Sequence, residues 1–180
     1  MTSNTSSSTD AARQGFYGKY RGTVTNNIDP MQIGRIQAIV PDVTSLLPGS
    51  WAMPCVPVAG INNGMFVLPL IGSGVWIEFE RGDPDFPIWT GCYWGLTAEL
   101  PVLSRIVPPG VPGITLQTPL KNGVVISDVP GPTGGILIQT TTGAMISVSD
   151  TGIIISNGKG AIINMTGPVT DINLGALTIT

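Results

Sequence analysis

The 180-residue sequence predicts an all-β protein in two parts: a small closed barrel, then a narrow ribbon of short strands that folds only with two further copies of itself. Three observations predict it. Up to about residue 95, short runs rich in Val, Ile, Trp, Tyr and Phe alternate with Gly, Pro, Asn and Asp, as strands alternate with turns. Further on, glycines recur every seven to nine positions, at Gly135, Gly143, Gly152, Gly160, Gly167 and Gly175, and a fixed short period marks a repeat architecture. Charged residues make up only 11% of the chain, well under the share usual for a soluble domain, so much of the surface is expected to lie against other copies or partners.

Residues 1–15, MTSNTSSSTDAARQG, are Ser/Thr-rich and almost without apolar side chains. Such a segment cannot bury enough surface to fold alone, so it reads as a flexible tail or as an arm docking on a neighbouring subunit. Residues 16–95 form the barrel. Its strands are read in YRGTVTNN, GRIQAIVP, WAMPCVPV, GMFVLPL, GVWIEFE and PIWTGCYW. Val75, Ile77 and Phe79 alternate with Trp76, Glu78 and Glu80, which gives that strand one buried and one exposed face. Five or six short strands in about 80 residues suit a small barrel such as an OB-fold. Residues 96–113 are a connector: a short helix or turn over 96–106, then the extended, proline-rich VPPGVPG.

From residue 114 to 180 the chain reads as the shaft. Each repeat glycine stands beside a short apolar run, among them GILIQ, GAMISVS, GIIIS and GAIINM, and is expected at a position needing positive φ or close backbone approach. A ribbon about five residues wide has no core of its own. Its stripe of Ile136, Ile138, Ile146, Val148, Ile153 and Ile155 contributes about 1.5–3 kcal/mol per side chain only on leaving water. Three ribbons around one axis would bury that stripe and pair the open strand edges, so these six residues are the expected core of an obligate homotrimer, an intertwined trimeric β-helix or β-prism. The Ser, Thr, Asn and Gln between them suit an uncharged outer face.

The same composition narrows function. Histidine is absent, which removes Ser-His-Asp and Cys-His catalysis and the commonest metal ligand. Neither catalytic residues, a metal site nor a cofactor is expected, and the chain does not read as an enzyme. The eight Lys and Arg are scattered and the net charge is −3, so no basic groove for nucleic acid is expected. Cys55 and Cys92 are too few for a disulfide framework and read as buried free thiols. No apolar run is long enough for a membrane-spanning helix, and no signal peptide is expected.

Over residues 19–95 the sequence resembles the OB domain of phage baseplate spike proteins, the V-type baseplate assembly family, together with the tail-lysozyme spike and the valine-glycine-repeat spikes of type VI secretion. The resemblance rests on IGRIQAIVPDV and on WAMPCVPVAGINNGMFVLPLIGSGVWIEFERGDPDFPIWTGCYWG. The motif positions are Gly34, Arg35, Gly72, Gly74, Gly82, Asp83, Pro84, Pro87 and Gly91. Read physically, Gly72 and Gly74 permit a tight entry into the strand at Val75, and Gly82-Asp83-Pro84-Asp85 is a turn. With no further ligands nearby, Asp83 and Asp85 do not read as a metal site.

The resemblance implies a central spike of a contractile phage tail or related injection machine, located in the virion tail baseplate and assembled in the host cytoplasm. It implies a hub protein at the end of the tail tube as one partner and the target membrane as a transient one. Two departures matter. Relatives with a lysozyme domain carry it between barrel and shaft, whereas this connector is short and has Glu99 as its sole carboxylate, so no muramidase activity is expected. Small spikes whose apex binds iron use His-x-His, which a chain without histidine lacks. The ending NLGALTIT resembles a blunt spike end, and implies a separate PAAR-like tip protein seated on Asn173, Leu174, Gly175, Ala176, Leu177, Thr178, Ile179 and Thr180. The alternatives are that Leu177 and Ile179 only finish the core, or that the chain is a trimeric receptor- or glycan-binding tail fibre domain. The fibre reading is disfavoured because no Trp, Tyr or Phe occurs among the last 65 residues.

Overall fold

The computed structural model describes residues 15–44 and 47–179, so the expected arm lies outside the described residues except for Gly15. The chain divides after Thr97 into two compact units.

The first unit is the barrel. Its strands are β1 (Tyr20–Asn26), β2 (Gln37–Ile39), β3 (Met53–Pro54), β4 (Ala59–Gly60), β5 (Asn63–Gly64), β6 (Gly74–Phe79) and β7 (Pro87–Tyr93). Five of them form one curled sheet in the order β2-β1-β6-β7-β3, antiparallel except for β3 beside β7. The curl closes where Ile36 and Ala52, flanking β2 and β3, exchange both backbone hydrogen bonds at 3.2 and 2.7 Å. That closure makes the sheet a barrel of the OB type. Val75, Ile77 and Phe79 point inward as their alternation required, and join Val24, Ile36, Val40 and Trp89 in the core. Each fully buried aliphatic there contributes about 1.5–3 kcal/mol.

Several details differ from the sequence reading. GMFVLPL runs through the fold without a ladder beyond its first glycine, because its side chains are largely exposed and no sheet edge is left for it. WAMPCVPV contributes only the two residues of β3, since proline lacks the N–H a longer ladder would need. Residues Pro41–Thr44 form a single helical turn, α1. Cys55 and Cys92 are free as expected but exposed rather than buried, Cys55 just past the end of β3 and Cys92 next to the last residue of β7.

The second unit is a ladder of eight antiparallel strands: β8 (Gly113–Gln117), β9 (Gly123–Ser127), β10 (Gly135–Gln139), β11 (Met145–Ser149), β12 (Gly152–Ser156), β13 (Ile162–Thr166), β14 (Val169–Ile172) and β15 (Leu177–Ile179). Each strand pairs with the one before and the one after it in sequence. All six repeat glycines have positive φ. Two of them show why no side chain is tolerated: a Cβ on Gly135 would run into the Val148 carbonyl, and one on Gly152 into the Met165 carbonyl. The pairing corrects one expectation. The ladder closes within a single chain, because tight turns return each strand to its neighbour, and only the outer edges of β8 and β15 lack a partner among the described residues. Backbone pairing is therefore not what calls for other copies.

Candidate functional site

What does call for them is one face of this ladder. Side chains at alternate positions of a strand share a face, and the register stacks them into two columns across the eight strands. One column runs Ile114, Ile126, Ile136, Val148, Ile153, Met165, Thr170 and Ile179. The other runs Leu116, Val124, Ile138, Ile146, Ile155, Ile163, Ile172 and Leu177. Of these positions only Thr170 is polar. The six residues named from the sequence all lie here, side by side in the middle of the columns. The sequence reading also allowed Leu177 and Ile179 to finish this core; the rest of the face it missed, although the same alternation continues through ITL, VVI and IINM.

This face is uncovered. Ile138 is 46% exposed in the centre of the ladder, and Ile114 and Leu116 at its start are 58% and 59% exposed. The opposite face has its own cover at the base. A short 3-10 helix, Val102–Ile106, packs there, and the Leu103 amide donates to Gln117 Oε1 at 2.9 Å. Leu103 and Val125 are consequently buried. Gly123 makes the contact possible, since a Cβ on it would stand 2.6 Å from Leu103 Cδ1. Elsewhere this outer face mixes Leu137 and Ile154 with Ser147, Asn164 and Asp171, so it is less uniformly polar than the sequence suggested.

The chain end divides the expected tip platform. Leu177 stands opposite Ile172 and Ile179 opposite Thr170, which continues the two apolar columns. Leu174 sits instead in the turn before β15, at 84% exposure, with Asn173, Leu174 and Gly175 all at positive φ. That turn is held by Asp171 Oδ1, which accepts from the Gly175 amide at 2.6 Å, and by Asn173 Oδ1, which accepts from the Ile162 amide at 3.0 Å. Ala176 completes the turn. Thr180 and the Thr178 side chain lie outside the described residues.

The barrel motif positions hold the barrel together and present no reactive constellation. Gly34, at φ 84°, offers its carbonyl to Trp89 Nε1 at 3.0 Å. Arg35 donates through Nη2 and Nε to Asp29 Oδ1 at 2.6 and 3.0 Å and lies over the Trp51 ring. Asp29 also accepts the backbone amides of Met31, Ile33 and Arg35, so one buried carboxylate organises the whole loop. The Arg35 guanidinium, with those amides, holds its carboxyl well below the usual carboxylate range. Gly72 donates to the Val24 carbonyl, and a Cβ on Gly74 would strike the Tyr93 ring. The Gly82 carbonyl accepts from the Phe16 amide at 2.9 Å, and Asp83 Oδ1 accepts from the Asp85 amide at 3.1 Å. Pro84 lies in that turn, Pro87 opens β7, and Gly91 sits at the register shift facing Trp76.

Comparison with family models gives two matches. Residues 20–94 match the type VI secretion system/phage-baseplate injector OB domain. Residues 113–178 match the phage baseplate V C-terminal trimerisation domain, over almost the same span as the ladder with the uncovered face. A search of curated proteins finds no match.

Proposed function

The chain belongs to the phage baseplate V spike family, a structural component of phage baseplates and type VI secretion injectors, and from that membership we propose that it is the central spike itself. Three copies join through the aliphatic face, with Ile136, Ile138, Ile146, Val148, Ile153 and Ile155 forming the middle of a dry core. The barrels seat on the hub at the end of the tail tube and close it before firing. The joined ladders form a shaft that sheath contraction drives through the target envelope. A separate PAAR-like tip protein sits on residues 173–180. The role is mechanical and not enzymatic, and assembly takes place in the host cytoplasm.

The observation that carries this reading is the uncovered two-column face, coincident with the trimerisation-domain match. Stiffness follows from its chemistry. A close-packed aliphatic core resists compression, and the ladder hydrogen bonds of each copy would lie alongside it. The test is light scattering on the purified protein, with gel mobility in mild SDS. The expected mass is three times 18.7 kDa, with a band that survives SDS until heated. A monomer at micromolar concentration would overturn the proposal.

A further inference from the structure

Asparagine followed by glycine occurs three times in the chain, at Asn63-Gly64, Asn122-Gly123 and Asn157-Gly158. Asparagine is a chemically labile side chain. It is most labile before glycine, where no Cβ shields the next backbone nitrogen and the chain turns freely. All three asparagines are exposed, so accessibility does not separate them. Their hydrogen bonds do. Asn122 Oδ1 accepts the Thr141 amide at 3.1 Å, and its Nδ2 donates to Thr118 Oγ1 at 3.4 Å. Asn157 Oδ1 accepts the Lys159 and Ala161 amides at 2.8 and 3.0 Å, and the Gly158 amide donates to Ser156 Oγ at 3.1 Å.

The Asn63 carboxamide, by contrast, makes no hydrogen bond among the described residues. The Gly64 amide is equally free. Across the hairpin Ala59 faces Gly64 and Gly60 faces Asn63, and the Met65 amide donates to the Val58 carbonyl at 3.0 Å. Antiparallel pairs alternate between hydrogen-bonded and non-hydrogen-bonded, so Gly64 takes a non-bonded position and its N–H points away from β4. No further strand pairs with β5. So short a hairpin is at best marginal in water, and little holds Asn63 in extended backbone.

We propose that Asn63 is a site of spontaneous, enzyme-free deamidation on the barrel surface, and that their turns protect Asn122 and Asn157. When the hairpin opens and Asn63 leaves the extended conformation, the Gly64 nitrogen attacks Asn63 Cγ. A C–N bond forms, the Cγ–Nδ2 bond breaks, and Nδ2 leaves as ammonia with the proton that the Gly64 amide gave up. Water then opens the resulting succinimide at either carbonyl, which leaves an aspartyl or an isoaspartyl residue. Nothing is oxidised or reduced. Residues 43–77 contain no Asp, Glu, Lys or Arg, so the product sets a negative charge in an uncharged stretch of a chain whose net charge is −3. The isoaspartyl form also lengthens the backbone within β5. The proposal is independent of the spike reading.

Tandem mass spectrometry of the full-length protein, held for days in mildly alkaline buffer, tests it. Deamidation at Asn63 is expected to run roughly tenfold or more ahead of Asn122 and Asn157, as for sites that react only from a minor opened population. In urea the three rates are expected to converge, because only folded structure separates them. On anion exchange an acidic form is expected to grow in the wild type and to stay absent in Asn63→Gln, whose longer side chain closes a larger ring slowly. Equal rates at the three sites in the folded protein would overturn the proposal. So would an Asn63 that stays intact in the folded protein while reacting in urea.

Discussion

Asp29 shows how much one side chain organises. Its carboxylate holds the Arg35 guanidinium and three backbone amides while being nearly shut off from water. Its folded-state pKa is depressed below the ordinary 3.8, so it stabilises the barrel above that ordinary value, and the contribution is lost as pH falls through it toward the folded pKa. Asp29→Asn is therefore expected to lower the thermal midpoint of the barrel near neutral pH, with the gap to wild type narrowing below about pH 4. Tryptophan fluorescence reports this through Trp51 and Trp89, and a gap unchanged down to pH 3 would contradict the account. The sequence singled out Arg35 through its place in a motif, but not Asp29. Nothing periodic ties positions 29 and 35; only the loop geometry brings them together. Gly82 is similar. It was legible as a turn residue, while its second duty, accepting the Phe16 amide, depends on a chain segment far away in sequence.

At the scale of the element, the C-terminal strands were the most legible part of the molecule. Their glycine period, five-residue width and alternating aliphatics are local properties, and the local register obeys them. The direction of pairing was not legible, since the same pattern serves strands that pair within a chain or between chains. In the barrel, Val75, Ile77 and Phe79 announced their face, whereas GMFVLPL has the composition of a strand with no free edge to join. The face makes a sharp prediction. Ile138→Asp places a charge in the middle of the columns and is expected to yield monomers by light scattering, while Ser147→Asp on the opposite face leaves the trimer intact. The milder Ile138→Ala is expected to cost about 2–5 kcal/mol per chain in urea unfolding, as for a buried large-to-small change.

For the molecule as a whole, low charge and an open apolar face have one explanation, that the folded unit is larger than the chain. Stability then includes an association term, and the unfolding midpoint is expected to rise with protein concentration. Differential scanning fluorimetry over a hundredfold dilution series checks this, and a midpoint independent of concentration would count against it. NLGALTIT pointed to a platform, but Leu177 and Ile179 share the columns and Leu174 does not, a distinction set by the register of β15.

Because every rung of the ladder is bonded to the rung made just before it, a nascent polypeptide has no need to wait for its siblings before zipping up. Such short-range closure is fast. Assembly is then limited by encounter: a newly finished ribbon carries a greasy strip in contact with water until two others find it, and the concentration of free chains sets how long that exposure lasts.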